Sequence, residues 1–456
     1  MAKLNEIFRK LTNFKNPLAS NNTPVEKVFE TVGTVGRFLC IFPTKVKVNF
    51  GKKNEIPRYH TISTAFSIIT IISSVLAILI PAYPFLKKIK NERNLVSLSS
   101  TDHFALKTFL AVFLISRLFA PMLCLLYCKS IGILIQNIAN YDQSFNIINK
   151  TPLITKRFCF LFAGSLWDTI TDGIASYPVM VQGFKNSEFS SLPSTLGIDN
   201  PTLSVIHCYS GRIYGEIGVV FYTFCMLYFG RLITQRIDDM KNSLAGNDLT
   251  ENNFVEMKEL VSTGVIRRES HQVVETTKLV ESNVSIISKE LCKTAIKQLA
   301  NLVEILKCFE NAFGTFIVMY FGFSVIILVM TVFCVASYTI HYKGENMDSL
   351  FYSKDFIGLF LAIGLSCMRM TAFVECGESL LRRGKLLMVH ITHLDPTLGD
   401  AEDHKLVRHL QRIAANTDFS FNANGYFLLN RQLIPSIIVA VLTFTIVLAQ
   451  FKTGDL

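Results

Sequence analysis

Two pairs of ionisable residues stand four apart inside apolar segments: Asp168 with Asp172, and Arg212 with Glu216. That spacing puts both members of a pair on one face of a helix. A charge held in hydrocarbon is costly unless it meets water or a partner, so these side chains face a polar cavity or one another. Trp167, Tyr177, Tyr214 and Tyr222 lie close by in sequence and add aromatic surface. Carboxylates, a guanidinium and aromatic walls suit reversible binding of a small, hydroxyl-rich molecule. A salt bridge that only fixes helix packing meets the same requirement, and the residues alone leave both readings open. Covalent chemistry has no comparable signal. The chain contains no phosphate loop, no H-E-x-x-H and no G-x-S-x-G, so an enzyme is not expected. His390, His393, His404 and His409 are better explained as exposed histidines on two short helices than as a metal site, and no metal or cofactor is expected.

The segments that carry these residues are built for a membrane. The chain has 456 residues, half of them hydrophobic, 37 Phe and a mean hydropathy of +0.37. Charge-poor stretches long enough to cross roughly 30 Å of hydrocarbon lie at 61–86, 108–128, 158–184, 204–230, 311–340, 356–381 and 433–451. The expected fold is therefore all-α, a polytopic membrane protein of seven transmembrane helices. Segment 1–60 reads as cytoplasmic and 61–230 as the first four spans. Segment 231–310 reads as a cytoplasmic helical loop and 311–381 as spans five and six. Further cytoplasmic helices fill 382–432, and 433–456 holds the seventh span and an extracellular tail. No cleavable signal is expected ahead of the first span, which would act as its own insertion signal. The eleven Cys show no paired or metal-ligand spacing.

A net charge of +10 is accounted for by basic loops, and no nucleic-acid partner is expected. With the N-terminus inside, the inner segments carry 33 Lys and Arg and the outer ones 9. Restricting the count to fifteen residues from each span end leaves 17 against 9, the same sign. Lys87, Lys88, Lys90 and Arg93, directly after the first span, argue the other way. The balance puts the N-terminus in the cytoplasm and the C-terminus outside. That orientation opposes a G-protein-coupled receptor, and the Asp/Glu-Arg-Tyr and Asn-Pro-x-x-Tyr motifs are also missing. A transporter is disfavoured because no repeat relates two halves of the chain.

The inner segments are patterned. Val280, Val284, Ile287, Leu291, Ala295, Leu299, Val303, Leu306 and Phe309 form one helical stripe, so the fifth span is expected to continue far into the cytoplasm as one helix. A second helix is expected over 402–415, with Leu406, Leu410 and Ile413 on one face. In the seventh span, Ser436, Ala440, Thr443, Val447 and Gln450 recur at spacings of four and three. The stripe is small and polar in an otherwise greasy helix. It suits the wall of a water-filled path, and equally a packing seam between helices.

The run from Thr443 to Phe451 resembles the C-terminal signature of insect gustatory receptors: Thr-Tyr, five apolar residues, then Gln-Phe. Gly425-Tyr426-Phe427 with Asn430-Arg431 resembles the segment before it. Arg369 and Glu375, and the run Phe38 to Pro43, are also similar. Phe444 stands where Tyr is usual, and Ala449 where a larger aliphatic residue is. The resemblance implies a ligand-gated cation channel related to insect odorant receptors, in the plasma membrane of gustatory neurons, embedded in lipid. It implies a homo- or heterotetramer whose seventh helices line the pore, with an outward-facing pocket among spans two to six. On that basis Thr443, Val447, Gln450 and Phe451 are pore residues, and Trp167, Asp168, Asp172, Tyr177, Arg212, Tyr214 and Glu216 are candidates for tastant binding. The tastant is a sugar or a bitter compound, with sugar favoured by the acidic residues. An epitope added after Leu456 is expected to be reached by antibody on intact cells; staining only after permeabilisation would reverse the orientation.

Overall fold

The computed structural model describes residues 44–45, 58–59, 68–69, 71–72, 100–145, 201–245, 289–341, 354–394 and 401–454. Six helices hold most of them: α1 (Ser100–Ser144), α2 (Pro201–Ala245), α3 (Lys289–His341), α4 (Lys354–Thr392), α5 (Ala401–Ala415) and α6 (Leu433–Gly454). Two very short antiparallel ladders complete them, β1 (Thr44–Lys45) with β2 (Arg58–Tyr59), and β3 (Asn422–Ala423) with β4 (Phe427–Leu428). The all-α class holds. Five of the expected spans fall on α1, α2, α3, α4 and α6. The expected span 158–184 lies outside the described residues, and of 61–86 only 68–69 and 71–72 lie within them, all helical. Among the described residues, Phe119–Ser144, Ile217–Leu244, Glu290–Phe333 and Leu433–Phe451 are long and apolar enough to cross a membrane.

The helices outrun the apolar stretches that announced them. The 53 residues of α3 correspond to about 80 Å at 1.5 Å per residue. Gly314 lies inside α3 without ending it. The described chain divides into two compact units. One comprises Met1–Phe229, Cys308–Cys376 and Asn422–Leu456, the other Gly230–Lys307 and Gly377–Phe421.

In the first unit, Phe316 of α3 is the aromatic hub. Its ring stacks at 4.4 Å on Tyr222 of α2 and at 5.7 Å on Phe119 of α1, and meets Phe373 of α4 edge-on at 5.9 Å. The Tyr222 hydroxyl donates to the Ala312 carbonyl at 3.0 Å, so the ring buries its area without stranding its polar end. Pro121 sits inside α1, where its ring would ordinarily crowd the preceding turn. Gly218 of α2 receives that ring: a Cβ there would lie 2.9 Å from Pro121 Cγ and Cδ.

In the second unit the buried positions of α3 are Cys292, Ala295, Leu299, Leu302, Ile305 and Leu306. The expected stripe is displaced by one residue at two places. Leu291 and Val303 are half-buried, while Cys292 and Leu302 face the core. A helix repeating every 3.6 residues cannot keep a stripe spaced mostly by four in one contact line. On α5 the core positions are likewise Val407, Leu410 and Ala414, with Leu406 and Ile413 flanking them. Gln411 of α5 donates to the carbonyls of Leu394 at 2.9 Å and Thr392 at 3.2 Å, closing orphan acceptors at the end of α4. Arg383 bonds Asp238 at 3.1 Å. Gly384 gives Phe419 its seat, since a Cβ there would overlap the ring.

The two kinds of glycine predict opposite outcomes. Gly218→Ala is expected to cost about 1–3 kcal/mol through overpacking, lowering the melting temperature of detergent-solubilised protein. Gly322 is helical with nothing within 4 Å of an added Cβ. Gly322→Ala is expected to raise the melting temperature, by up to about 1 kcal/mol of helix propensity.

Candidate functional site

The terminal helix α6 is reached through a short hairpin. Asn424 and Gly425 take φ of 50° and 82°, the left-handed region that Asn and Gly tolerate, and the Tyr426 N–H closes the turn on the Ala423 carbonyl at 3.0 Å. The Gly425 N–H donates to Asn422 Oδ1 at 2.8 Å. From there Asn430 starts the helix. Its side-chain oxygen accepts from the Gln432 N–H at 3.1 Å, and its carbonyl accepts from the Leu433 N–H at 3.1 Å. Pro435 falls in the first turn of α6, where its missing N–H costs nothing.

The hairpin rests on α3. The Asn422 N–H donates to Glu310 Oε1 at 2.8 Å, and Asn424 Nδ2 donates to Thr315 Oγ1 at 2.8 Å. The same Thr315 hydroxyl is bonded to the Tyr127 hydroxyl of α1 at 2.8 Å. Gly314 makes this close approach possible, because any Cβ there would overlap the Asn424 carboxamide. Phe427 and Phe321 add a ring contact at 5.6 Å.

From Leu433 to Phe451, α6 has no buried residue. Its half-buried face carries Ile434, Ile437, Val441, Thr445 and Leu448, and Leu448 packs on Met330 and Phe333 of α3. The stripe of Ser436, Ala440, Thr443, Val447 and Gln450 lies about 140° around the helix from that face, at 3.6 residues per turn. Ser436, Thr443, Val447 and Gln450 are exposed and Ala440 is half-buried. Phe451 is 65% exposed, and the flanks expose Val439, Leu442, Phe444 and Ile446. Within the described residues, therefore, the polar stripe is not a seam against the chain's own helices. It points away from them. Ser436 returns its hydroxyl to the Gln432 carbonyl at 3.0 Å, which lowers its cost beside lipid.

Of the expected ligand residues, Trp167, Asp168, Asp172 and Tyr177 lie outside the described residues. Arg212, Tyr214 and Glu216 lie on α2, where the backbone alone is described. Three polar residues that sequence reasoning passed over are buried on α3: Tyr320, Ser324 and Thr331, at 5%, 5% and 1% exposure. They fall within about 40° of one another around the helix. The hydroxyls of Tyr320 and Thr331 have no hydrogen-bond partner among the described residues. A buried hydroxyl left unpaired costs about 1–3 kcal/mol, so this face favours a polar molecule that can pair with it. Phe373 of α4 stands edge-on to Tyr320 at 5.3 Å, and Arg369, one turn before Phe373, is buried as well. The missed signal was the i, i+4, i+11 spacing of hydroxyl residues in an otherwise apolar span. Glu375 is exposed. Among the described residues no three His, Cys, Asp or Glu are grouped to hold a metal.

The family profile described as 7tm chemosensory receptor matches residues 32–454. A Drosophila melanogaster protein carrying the name gustatory receptor 39b is 24% identical over 137 residues, 29% of this chain and 37% of that one. The match thus spans little over a third of that relative's length. Among solved structures, the olfactory receptor OR5 of Machilis hrabei in complex with eugenol superposes with a TM-score of 0.61. A second structure of the same receptor gives 0.56. Both cover 94% of this chain and 98% of the other at 9% identity, a likeness of fold alone.

Proposed function

The chain belongs to the 7tm chemosensory receptor family, and from that premise we propose that it is a tastant-gated, non-selective cation channel of the gustatory neuron plasma membrane. The observation that carries this reading is α6: an apolar helix with no buried residue from Leu433 to Phe451, whose polar stripe faces away from the other described helices. Four copies arranged about an axis would bring four such stripes together around water and cover the apolar flanks against neighbouring subunits. All seven spans, with the N-terminus cytoplasmic, belong to the same proposal, because only then does the end of α6 open to the outside.

In that assembly Gln450 and Phe451 form the outer constriction, with Val447 and Thr443 beneath. A ring of four Phe451 side chains closes a narrow pore by dewetting it, and Gln450 offers polar contact once the pore widens. The stripe holds no carboxylate, so cation preference must arise elsewhere. The tastant binds in an outward-facing pocket within the helices. Tyr320, Ser324, Thr331 and Arg369 support a polar wall there, alongside the candidates Trp167, Asp168, Asp172, Tyr177, Arg212, Tyr214 and Glu216. A hydroxyl-rich ligand, a sugar in preference to a larger bitter compound, suits carboxylates and unpaired buried hydroxyls together. Opening follows from differential affinity. The tastant shifts the equilibrium only by the ratio of its affinities for the open and closed forms.

Phe451→Ala is expected to raise the resting leak several-fold and Gln450→Ala to change single-channel conductance, with surface labelling unaltered; unchanged currents from both would remove α6 from the pore. Sugars are expected to evoke current where alkaloids do not. Asp168→Ala and Asp172→Ala should each raise the half-maximal sugar concentration at least tenfold. A sugar response indifferent to both substitutions would discard this pocket, and an alkaloid response alone would assign the receptor to bitter compounds.

A further inference from the structure

We propose that the β3–β4 hairpin is the joint through which α3 positions the pore helix, with Thr315 and Asn424 as its positioning residues; the inference rests on the channel reading above. The hairpin is fastened to one side of α3 over three turns. Glu310 takes the Asn422 N–H, Gly314 admits the Asn424 carboxamide, Thr315 bonds that carboxamide, and Phe321 meets Phe427. Tyr127 of α1 locks the Thr315 hydroxyl from the other side, so the bond reports on two helices at once.

The joint is stiff in every part. The turn has two residues in the left-handed region and an internal bond from Gly425 to Asn422. Residues 429–432 then lead directly into α6, with Asn430 closing the entry through both its side chain and its carbonyl. By contrast α6 itself, among the described residues, packs through a half-buried face. A shift of α3 along its axis is therefore delivered to the start of α6, and α6 has little along its length to resist it. The face of α3 that carries Tyr320, Ser324 and Thr331 begins only five residues beyond Thr315. Ligand engagement and pore position thereby meet on one helix.

The full-length chain is expressed in cells, and spontaneous openings are recorded in excised patches alongside single-channel conductance and surface labelling. Thr315→Val and Asn424→Gly are each expected to change the open probability by about fivefold, in the same direction, the factor that one neutral hydrogen bond is worth. Conductance should stay at the wild-type value, and Thr315→Ser should restore gating. The double variant should shift no further than Thr315→Val alone, because that substitution already removes the bond Asn424 makes. Tyr127→Phe, which deletes only a hydroxyl, should move gating the same way, and it serves as the test if either other variant fails to reach the surface. Wild-type open probability in the labelled variants, or effects that multiply in the double, would overturn the joint while leaving the channel intact. No current from the wild-type chain under any condition would instead overturn the channel reading, and the joint with it.

Discussion

Three turns of α3, from Ala312 to Phe321, carry the interactions on which the first unit depends. One side of this stretch presents Phe316, whose ring is shared by Phe119, Tyr222 and Phe373, so helices α1, α2 and α4 all take their position from it. Another side presents Gly314 and Thr315 and receives the hairpin that precedes α6. The aromatic side supplies non-directional burial. The polar side supplies direction, because hydrogen bonds of 2.8 Å and a close approach at glycine allow little sliding. Truncating Phe316 would remove the common contact of three helices. Altering Gly314 would leave that core intact and displace the hairpin alone.

A second constraint comes from the solvent. Four stretches of the described chain are apolar enough for a membrane; three of them bury much of their length inside the chain, whereas Leu433–Phe451 buries none. A helix in lipid needs no protein cover for its apolar faces, but it gains nothing by showing lipid a row of Ser, Thr and Gln. In the proposed tetramer each face of this helix has a suitable neighbour. The same reasoning explains why a helix so exposed is entered through so firmly anchored a hairpin. With little lateral packing, the definition of its position has to come from its end.

Much of the hairpin was open to reading in advance. Asn424-Gly425 is a strong tight-turn dipeptide, yet its flanking strands are two residues each, too short for alternation to register. The buried row Tyr320, Ser324, Thr331 was equally visible as spacing. What hid it is that isolated hydroxyls in an apolar span usually return their hydrogen bond to the helix backbone, as Thr223, Thr371 and Ser436 do here. The displacement of the α3 and α5 contact lines by one position has a different origin. Several apolar residues share each face, and the neighbours decide which of them is turned fully inward.

Composition and apolar block length were enough to establish a helical membrane protein and to find every helix among the described residues that crosses or extends from a span. Those properties follow from local hydropathy and from the bilayer's thickness, and each is additive along the chain. The polar stripe of α6 was legible for the same reason, since helical periodicity is local. Its direction was not. Whether Ser436, Thr443 and Gln450 face their own bundle or turn away depends on which side of α6 meets Met330 and Phe333, residues more than a hundred positions distant. The union of Tyr127, Thr315 and Asn424 is likewise a product of two helices and a hairpin meeting beside one glycine. Pairings at such separations are chosen by global packing, and no window of sequence contains both partners.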